Sequence, residues 1–249
     1  MTLKIRPIKI GAIDSFEKSK FTYGANFGVK LDAPCLAWII EGAQKKILVD
    51  SGPCDPEFAE KYHSKLKWEE DDFLENRLSK AGVNPQDIDL VILTHLHWDH
   101  CFSLHLFENA KFLVQKKELQ YAISPLPVHK HAYEAQVKGV TPPWFNIYDR
   151  MIIIDGDFTL EPGLEAVLLP GHTPGLQGLK VETKAGRGLI ASDFLPLFEN
   201  WYNPSGHIPS GIHVNLEDCY KTFKKIEQIT DWILPGHDPE VLKKEVYGD

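Results

Sequence analysis

Six consecutive residues, His95-Leu96-His97-Trp98-Asp99-His100, gather three imidazoles and a carboxylate into one short stretch. Neutral imidazole and carboxylate are borderline-to-hard ligands that suit zinc, manganese or iron. Side chains alternate along an extended chain, so His95 and His97 can project to one side while a turn carries Asp99 and His100 to another side of the same cavity. One loop can then feed two metal ions. The four cysteines, at 35, 54, 101 and 219, contain no Cys-x-x-Cys pair, which argues against a thiolate knuckle and a disulfide framework and predicts buried, reduced thiols.

Such a loop needs elements to hold it. A recurring unit runs along the chain, a short apolar strand that stops at a polar turn: 46–50 into Ser51-Gly52-Pro53, 90–93 into Thr94-His95, and 166–169 into Pro170-Gly171-His172. The same unit recurs at 188–191, which runs into Ser192-Asp193, and at 232–234, which runs into Pro235-Gly236-His237. Each apolar run reads as a buried strand that delivers a polar residue at its end. Two amphipathic helices are expected, over 68–81 and over 216–229, the second with Asn215 as N-cap. Residues 123–148 show no period and carry Pro125, Pro127, Pro142 and Pro143, which marks a long loop or insertion.

The 249 residues carry 27 Lys and Arg against 35 Asp and Glu, a net charge of −8, so a general polyanion-binding surface and nucleic acid partners are not expected. No repeat or Gly/Ser linker divides the chain, which reads as one domain over 1–249. The first ten residues show no signal-peptide h-region, and no apolar run approaches the ~20 residues of a membrane span, so the expected address is the cytoplasm without a membrane partner. Nothing in the sequence sets the oligomeric state.

The loop at 95–100 resembles the His-x-His-x-Asp-His signature of the metallo-β-lactamase superfamily. Val49-Asp50-Ser51-Gly52, Pro170-Gly171-His172-Thr173-Pro174-Gly175, Ser192-Asp193 and Pro235-Gly236-His237-Asp238 resemble further motifs of that family and arrive in its order. The resemblance implies an α/β fold, an αββα sandwich with the metals held at one edge between two sheets. It further implies that His95, His97 and His172 bind one metal, that Asp99, His100 and His237 bind the other, and that Asp193 bridges. Two divalent ions, zinc first and iron or manganese next, would then turn a shared water into a hydroxide nucleophile, with Asp99 accepting its proton. Asp50 reads either as a support for a ligand histidine or as a cap for its own turn.

Chain length and the run Gly171-His-Thr-Pro-Gly-Leu-Gln-Gly178 are most similar to the N-acyl homoserine lactonase branch. That similarity implies a small-molecule lactone or ester substrate. A glyoxalase II-like thioesterase or a phosphodiesterase is the alternative, and a mononuclear iron persulfide dioxygenase a more distant one. Pro196 departs from the pattern, since lactonases of this branch carry a tyrosine three residues after the bridging aspartate. Hydrolysis of a lactone or another ester-like bond needs no such tyrosine, whereas an acyl-homoserine lactone substrate is weakened by its loss. The oxyanion donor would then come from the following segment, with Tyr202, His207 and His213 as candidates, the two histidines ahead of the tyrosine. His63, His105, His129 and His131 lack ligand spacing at a strand end and read as ordinary histidines. Trp98, the 21–28 stretch, Trp144-Phe145 and Trp201-Tyr202 are candidate pocket walls.

Overall fold

The computed structural model describes residues 2–249. Twelve strands form two sheets. The first runs over β1 (Lys4–Glu17), β2 (Lys30–Glu41), β3 (Ile47–Val49), β4 (Leu66–Lys67), β5 (Leu90–Ile92), β6 (Lys111–Gln115) and β7 (Met151–Ile154), in the order β4-β1-β2-β3-β5-β6-β7. The second runs over β8 (Phe158–Glu161), β9 (Leu164–Leu168), β10 (Gln177–Thr183), β11 (Gly186–Ser192) and β12 (Trp232–Pro235), in the order β12-β11-β10-β9-β8. Five helices, α1 (Pro56–Tyr62), α2 (Leu74–Lys80), α3 (Lys116–Ile123), α4 (Phe198–Tyr202) and α5 (Leu216–Ile229), complete the chain.

The two-residue period of the strands builds the layers. In β2, Leu36, Trp38 and Ile40 face the second sheet and pack with Leu164, Ala166, Leu179 and Ile190, while Cys35, Ala37 and Ile39 face outward onto the cluster that holds Ala59 of α1 and Leu74 and Leu78 of α2. Across the sandwich, Ile190 and Leu234 point inward, whereas Leu189, Ala191 and Ile233 pack against Cys219, Phe223 and Ile226 of α5. Strands buried on both faces read as nearly continuous apolar runs and need helices on the outside. The result is helix, sheet, sheet, helix, the αββα sandwich.

Every strand expected from the sequence is present, and α5 spans 216–229 with Asn215 Oδ1 accepting from the Glu217 and Asp218 amides. The helix expected over 68–81 is broken instead. A 3-10 turn at Glu70–Asp72 is followed by extended Phe73 (ψ 133°) and then α2. The buried Asp72 carboxylate accepts from the Glu69 amide and pairs with Arg77, and those bonds hold the chain away from a continuous helix. The long pair β1–β2 was not read from the sequence, because Pro7 and Gly11 interrupt its pattern. Pro7 is tolerated because β4 pairs β1 only at Ala12 and Ile13, which leaves Pro7 at an edge. Of residues 123–148, Ile123 ends α3, and the rest hold no strand, only 3-10 turns at Pro127–Ala132 and, at their end, Pro143–Arg150. All four cysteines are free and buried.

Candidate metal centre

β3, β5 and β6 run parallel, as do β11 and β12, so Asp50, His95, Asp193 and His237 all emerge at carboxyl ends of strands. Such ends are where ligand sites form in layered sheets. Two of these exits are strained. Asp50 (φ 59°) and Ser192 (φ 48°) sit in the left-handed region, which costs a non-glycine residue of order 1–3 kcal/mol. Their side chains repay this locally: Asp50 accepts from the Thr94 amide (2.8 Å) and hydroxyl (2.8 Å), and Thr94 Oγ1 lies 2.9 Å from Ser192 Oγ. Gly236 is required by the same crowding, because a Cβ there would lie 2.6 Å from Asp193 Oδ1.

The second sheet's loop is fixed to the first by two contacts. The Gln177 amide donates to Thr94 O (2.8 Å) and its side chain to Leu93 O (2.9 Å). Glu118 of α3, fully buried, accepts from the Leu96 amide (3.0 Å), Thr173 Oγ1 and the Tyr133 hydroxyl (3.0 Å). The 95–100 loop and the His172 loop are thereby clamped on one carboxylate. Gly175 is needed beside it, since a Cβ would collide with the Glu118 backbone nitrogen at 2.1 Å.

Seven side chains meet at this edge. Ligand atoms of His95, His97, His172 and Asp193 lie within 4.8 Å of one another, and so do those of Asp99, His100, Asp193 and His237. Asp193 belongs to both groups. Four imidazoles are oriented through Nδ1, which donates to Thr94 Oγ1 from His95 (3.1 Å), to Asp50 Oδ2 from His100 (2.9 Å), to Ile212 O from His172 (2.7 Å) and to Pro34 O from His237 (2.9 Å). Each then presents Nε2 as a lone pair, the arrangement that outer partners impose on metal-binding histidines. Asp50 thus supports a histidine as well as holding its turn. His97 Nδ1 faces His172 Nε2 at 3.1 Å.

These residues fit divalent cations. His95 Nε2 and His97 Nε2 are buried without a hydrogen-bond partner among the described residues, and Asp193 Oδ1 is crowded 3.2 Å from His100 Nε2 and 3.0 Å from His237 Nε2, a costly state that a cation would relieve. Burial pushes His95 and His97 well below the usual histidine range, which keeps them in the neutral, ligating form. At His100 burial also opposes charge, but Asp193, Asp99 and Asp50 together outweigh it and raise the pKa.

A cavity of about 100 Å³ lies at this edge, lined by His97, Asp99, His172, Asp193 and His237 of the seven. Phe21, stacked on His237 at 5.1 Å, and Trp98 form part of its wall. Of the other aromatic candidates, Trp144 is buried in the core under the first sheet, Phe145 is exposed, and Trp201 packs toward α5.

The three donors expected after Asp193 do not line this cavity. His207 is engaged elsewhere: its Nδ1 donates to Trp201 O (2.9 Å), its Nε2 lies 3.0 Å from Glu227, and its ring stacks on Trp201 and Phe223. Tyr202 is 58% exposed and borders a separate surface depression with Trp232 and Tyr247. His213 donates from Nδ1 to Ser210 O (2.8 Å) and meets the edge of Tyr23. The cavity is instead walled by Lys20, His63, His129 and His131, of which the three histidines were read as ordinary. The His-x-His at 129–131 in a long proline-marked loop was the available signal.

A family model described as the metallo-beta-lactamase superfamily matches residues 32–237. An N-acyl homoserine lactonase from Bacillus sp is 32% identical over 188 residues, 71% of this chain and 70% of its own. One from Bacillus thuringiensis is 29% identical over 231 residues, covering 87% and 86%. A structure of an N-acyl homoserine lactone hydrolase with the product N-hexanoyl-L-homoserine at its catalytic metal center superposes with a TM-score of 0.77 at 25% identity, covering 98% and 96%. With the sandwich and the seven converging side chains, these matches establish that the chain belongs to the metallo-beta-lactamase superfamily, beside its N-acyl homoserine lactonases.

Proposed function

We propose that this protein is a dinuclear metal-dependent hydrolase that opens a lactone or a related ester bond. The observation that carries the reading is the pair of four-residue ligand groups sharing Asp193 on the wall of a cavity. In this reading His95, His97 and His172 hold one ion, Asp99, His100 and His237 hold the other, and Asp193 bridges, with zinc the first choice. The chemistry that such ions supply when bound is the acidification of water and the polarisation of a carbonyl.

The chain's own groups do the rest. Asp50, Ile212 and Pro34 fix the imidazoles and so spare the site reorganisation during the reaction. Asp99 Oδ2 lies 3.7 Å from His100 Nε2 and 3.6 Å from His237 Nε2, so its Oδ1 remains to take up a proton and return it to the leaving oxygen. Ligand pockets usually enclose ~300–1,000 Å³, so a cavity of about 100 Å³ admits the reacting ring and leaves a long acyl arm outside. The whole chain, 1–249, acts as one unit in this reading. The free, buried thiols favour a reducing cytoplasmic setting, and no helix among the described residues is long and apolar enough to cross a membrane.

Metal analysis with a panel of lactones, thioesters, bis(p-nitrophenyl) phosphate and a glutathione persulfide tests the proposal. Two divalent ions per chain and chelator-sensitive lactone opening are expected. Turnover of only thioester or phosphodiester would move the reading to those hydrolases, and a single iron with persulfide oxidation would overturn it.

A further inference from the structure

If the chain opens esters, a group must stabilise the carbonyl oxygen as it becomes negative, and Pro196 offers neither a side-chain donor nor an N–H. Outside the seven proposed ligands, the titratable side chains that wall the cavity are Lys20, His63, His129 and His131. Lys20 is exposed, with its ammonium over the Phe16 ring. His131 is exposed to solvent. His63 Nδ1 donates to His131 O (2.6 Å), and its Nε2 faces buried Glu134 at 3.2 Å. His129 differs. It is only 4% exposed, its Nδ1 lies 2.7 Å from the Tyr121 hydroxyl, and its Nε2 has no protein partner among the described residues.

The Tyr121 contact sets the tautomer. The Leu126 amide donates to Tyr121 Oη (3.3 Å), and the hydroxyl's own hydrogen has His129 Nδ1 as its one acceptor among the described residues. When the hydroxyl donates to that ring, Nδ1 accepts, and in the neutral ring the proton sits on Nε2. We propose that His129 donates a hydrogen bond from Nε2–H to the substrate's carbonyl oxygen, and that Tyr121 is the positioning residue that fixes this tautomer. The inference rests on the hydrolase reading above.

The neighbourhood agrees. His129 lines the same small cavity as His97 and His172 of the first ligand group. Burial pushes its pKa down to about 4, so the ring is neutral at pH 7. The proton returned to the leaving oxygen is already assigned to Asp99. His129 accordingly stabilises charge without transferring a proton, as a preorganised donor in a water-poor site does.

The test uses the zinc-loaded protein and the best lactone from the panel. With two metals retained, His129→Leu should lower kcat by ~10²–10³, the usual cost of one such donor, with KM little changed. His129→Gln, which restores an N–H near the same place, should recover part of it, and Tyr121→Phe should fall between Leu and parent. Long-range 15N NMR of the parent should show His129 as the Nε2–H tautomer. Turnover of His129→Leu within about threefold of the parent, loss of metal in step with activity, or an Nδ1–H tautomer would each overturn the inference. Should the leucine variant not fold, the glutamine variant and the tautomer decide. A parent inactive on every ester fails the hydrolase reading first, before any variant is made.

Discussion

Two segments of the chain could have supplied the oxyanion donor, and they have opposite fates. The segment 199–213 follows Asp193 closely in sequence, yet none of its three candidate donors lines the cavity. His207 ties Trp201 to α5, and Asn200 Nδ2 donates to Phe21 O (2.7 Å) and Ile208 O (2.9 Å), stitching the loop to the end of β1's following turn. The segment 116–134 lies more than fifty residues upstream of Asp193, yet α3 and the turn after it carry Glu118, His129 and Tyr133 to the metal edge. Tyr133 meets the His97 ring at 4.7 Å. Nearness in sequence therefore says little about which group faces the substrate. A side chain is available for chemistry only when the fold leaves one of its polar atoms unspent.

The comparison yields graded tests. The largest effect belongs to the centre that both segments flank. Asp193→Asn should leave the protein metal-poor and lower turnover by at least ~10², while chelation of the parent should lower its thermal midpoint by about 6–16 °C. That range follows from about 3–4 kcal/mol of ligand stabilisation at 100 to 1,000 times Kd and about 2–4 °C per kcal/mol for a chain of this size. An unchanged midpoint, read by calorimetry, would mean that the ions serve chemistry alone.

Next comes the contrast between histidines. His207→Ala should keep two metals and turn over within about threefold of the parent, yet lose ~1–2 kcal/mol of stability through the lost stacking and hydrogen bonds. Denaturant melts beside turnover would expose the reverse pattern, which would return the donor to the 199–213 segment.

A pH difference should follow from His129. Its folded pKa of about 4 lies below the ~6.5 of an unfolded histidine, so the unfolded chain binds more protons between those values. The resulting destabilisation is absent above pH 6.5 and grows as the pH falls toward 4. His129→Gln should therefore be less acid-sensitive than the parent in that window, and parallel melts at pH 7 and 4.5 would measure it. The smallest effect is expected for Tyr202→Phe, within ~0.5 kcal/mol and with unchanged turnover, because this hydroxyl lies away from the cavity.

Much of the fold and site was legible because local rules governed it. The apolar runs at 90–93 and 188–191 could only be buried strands, and the Gly-His and Ser-Asp turns at their ends announced polar delivery. Asn215 capped α5 where its spacing placed it. The 68–81 helix was misread because a single buried carboxylate, Asp72, bonds across the would-be helix to Glu69 and Arg77, and pattern alone does not reveal such a pairing. The β1–β2 pair escaped because Pro7 is harmless only at an edge, and an edge exists only once the sheet is ordered.

By itself the sequence determined the chemical character of the site, since ligand type resides in the side chain and delivery follows from strand-end position. Only the tertiary structure decided which remaining groups face the cavity. Hydrogen bonds between Thr173 and Glu118, or between His207 and Glu227, join residues whose separation in space depends on the packing of whole layers, and no local period encodes it.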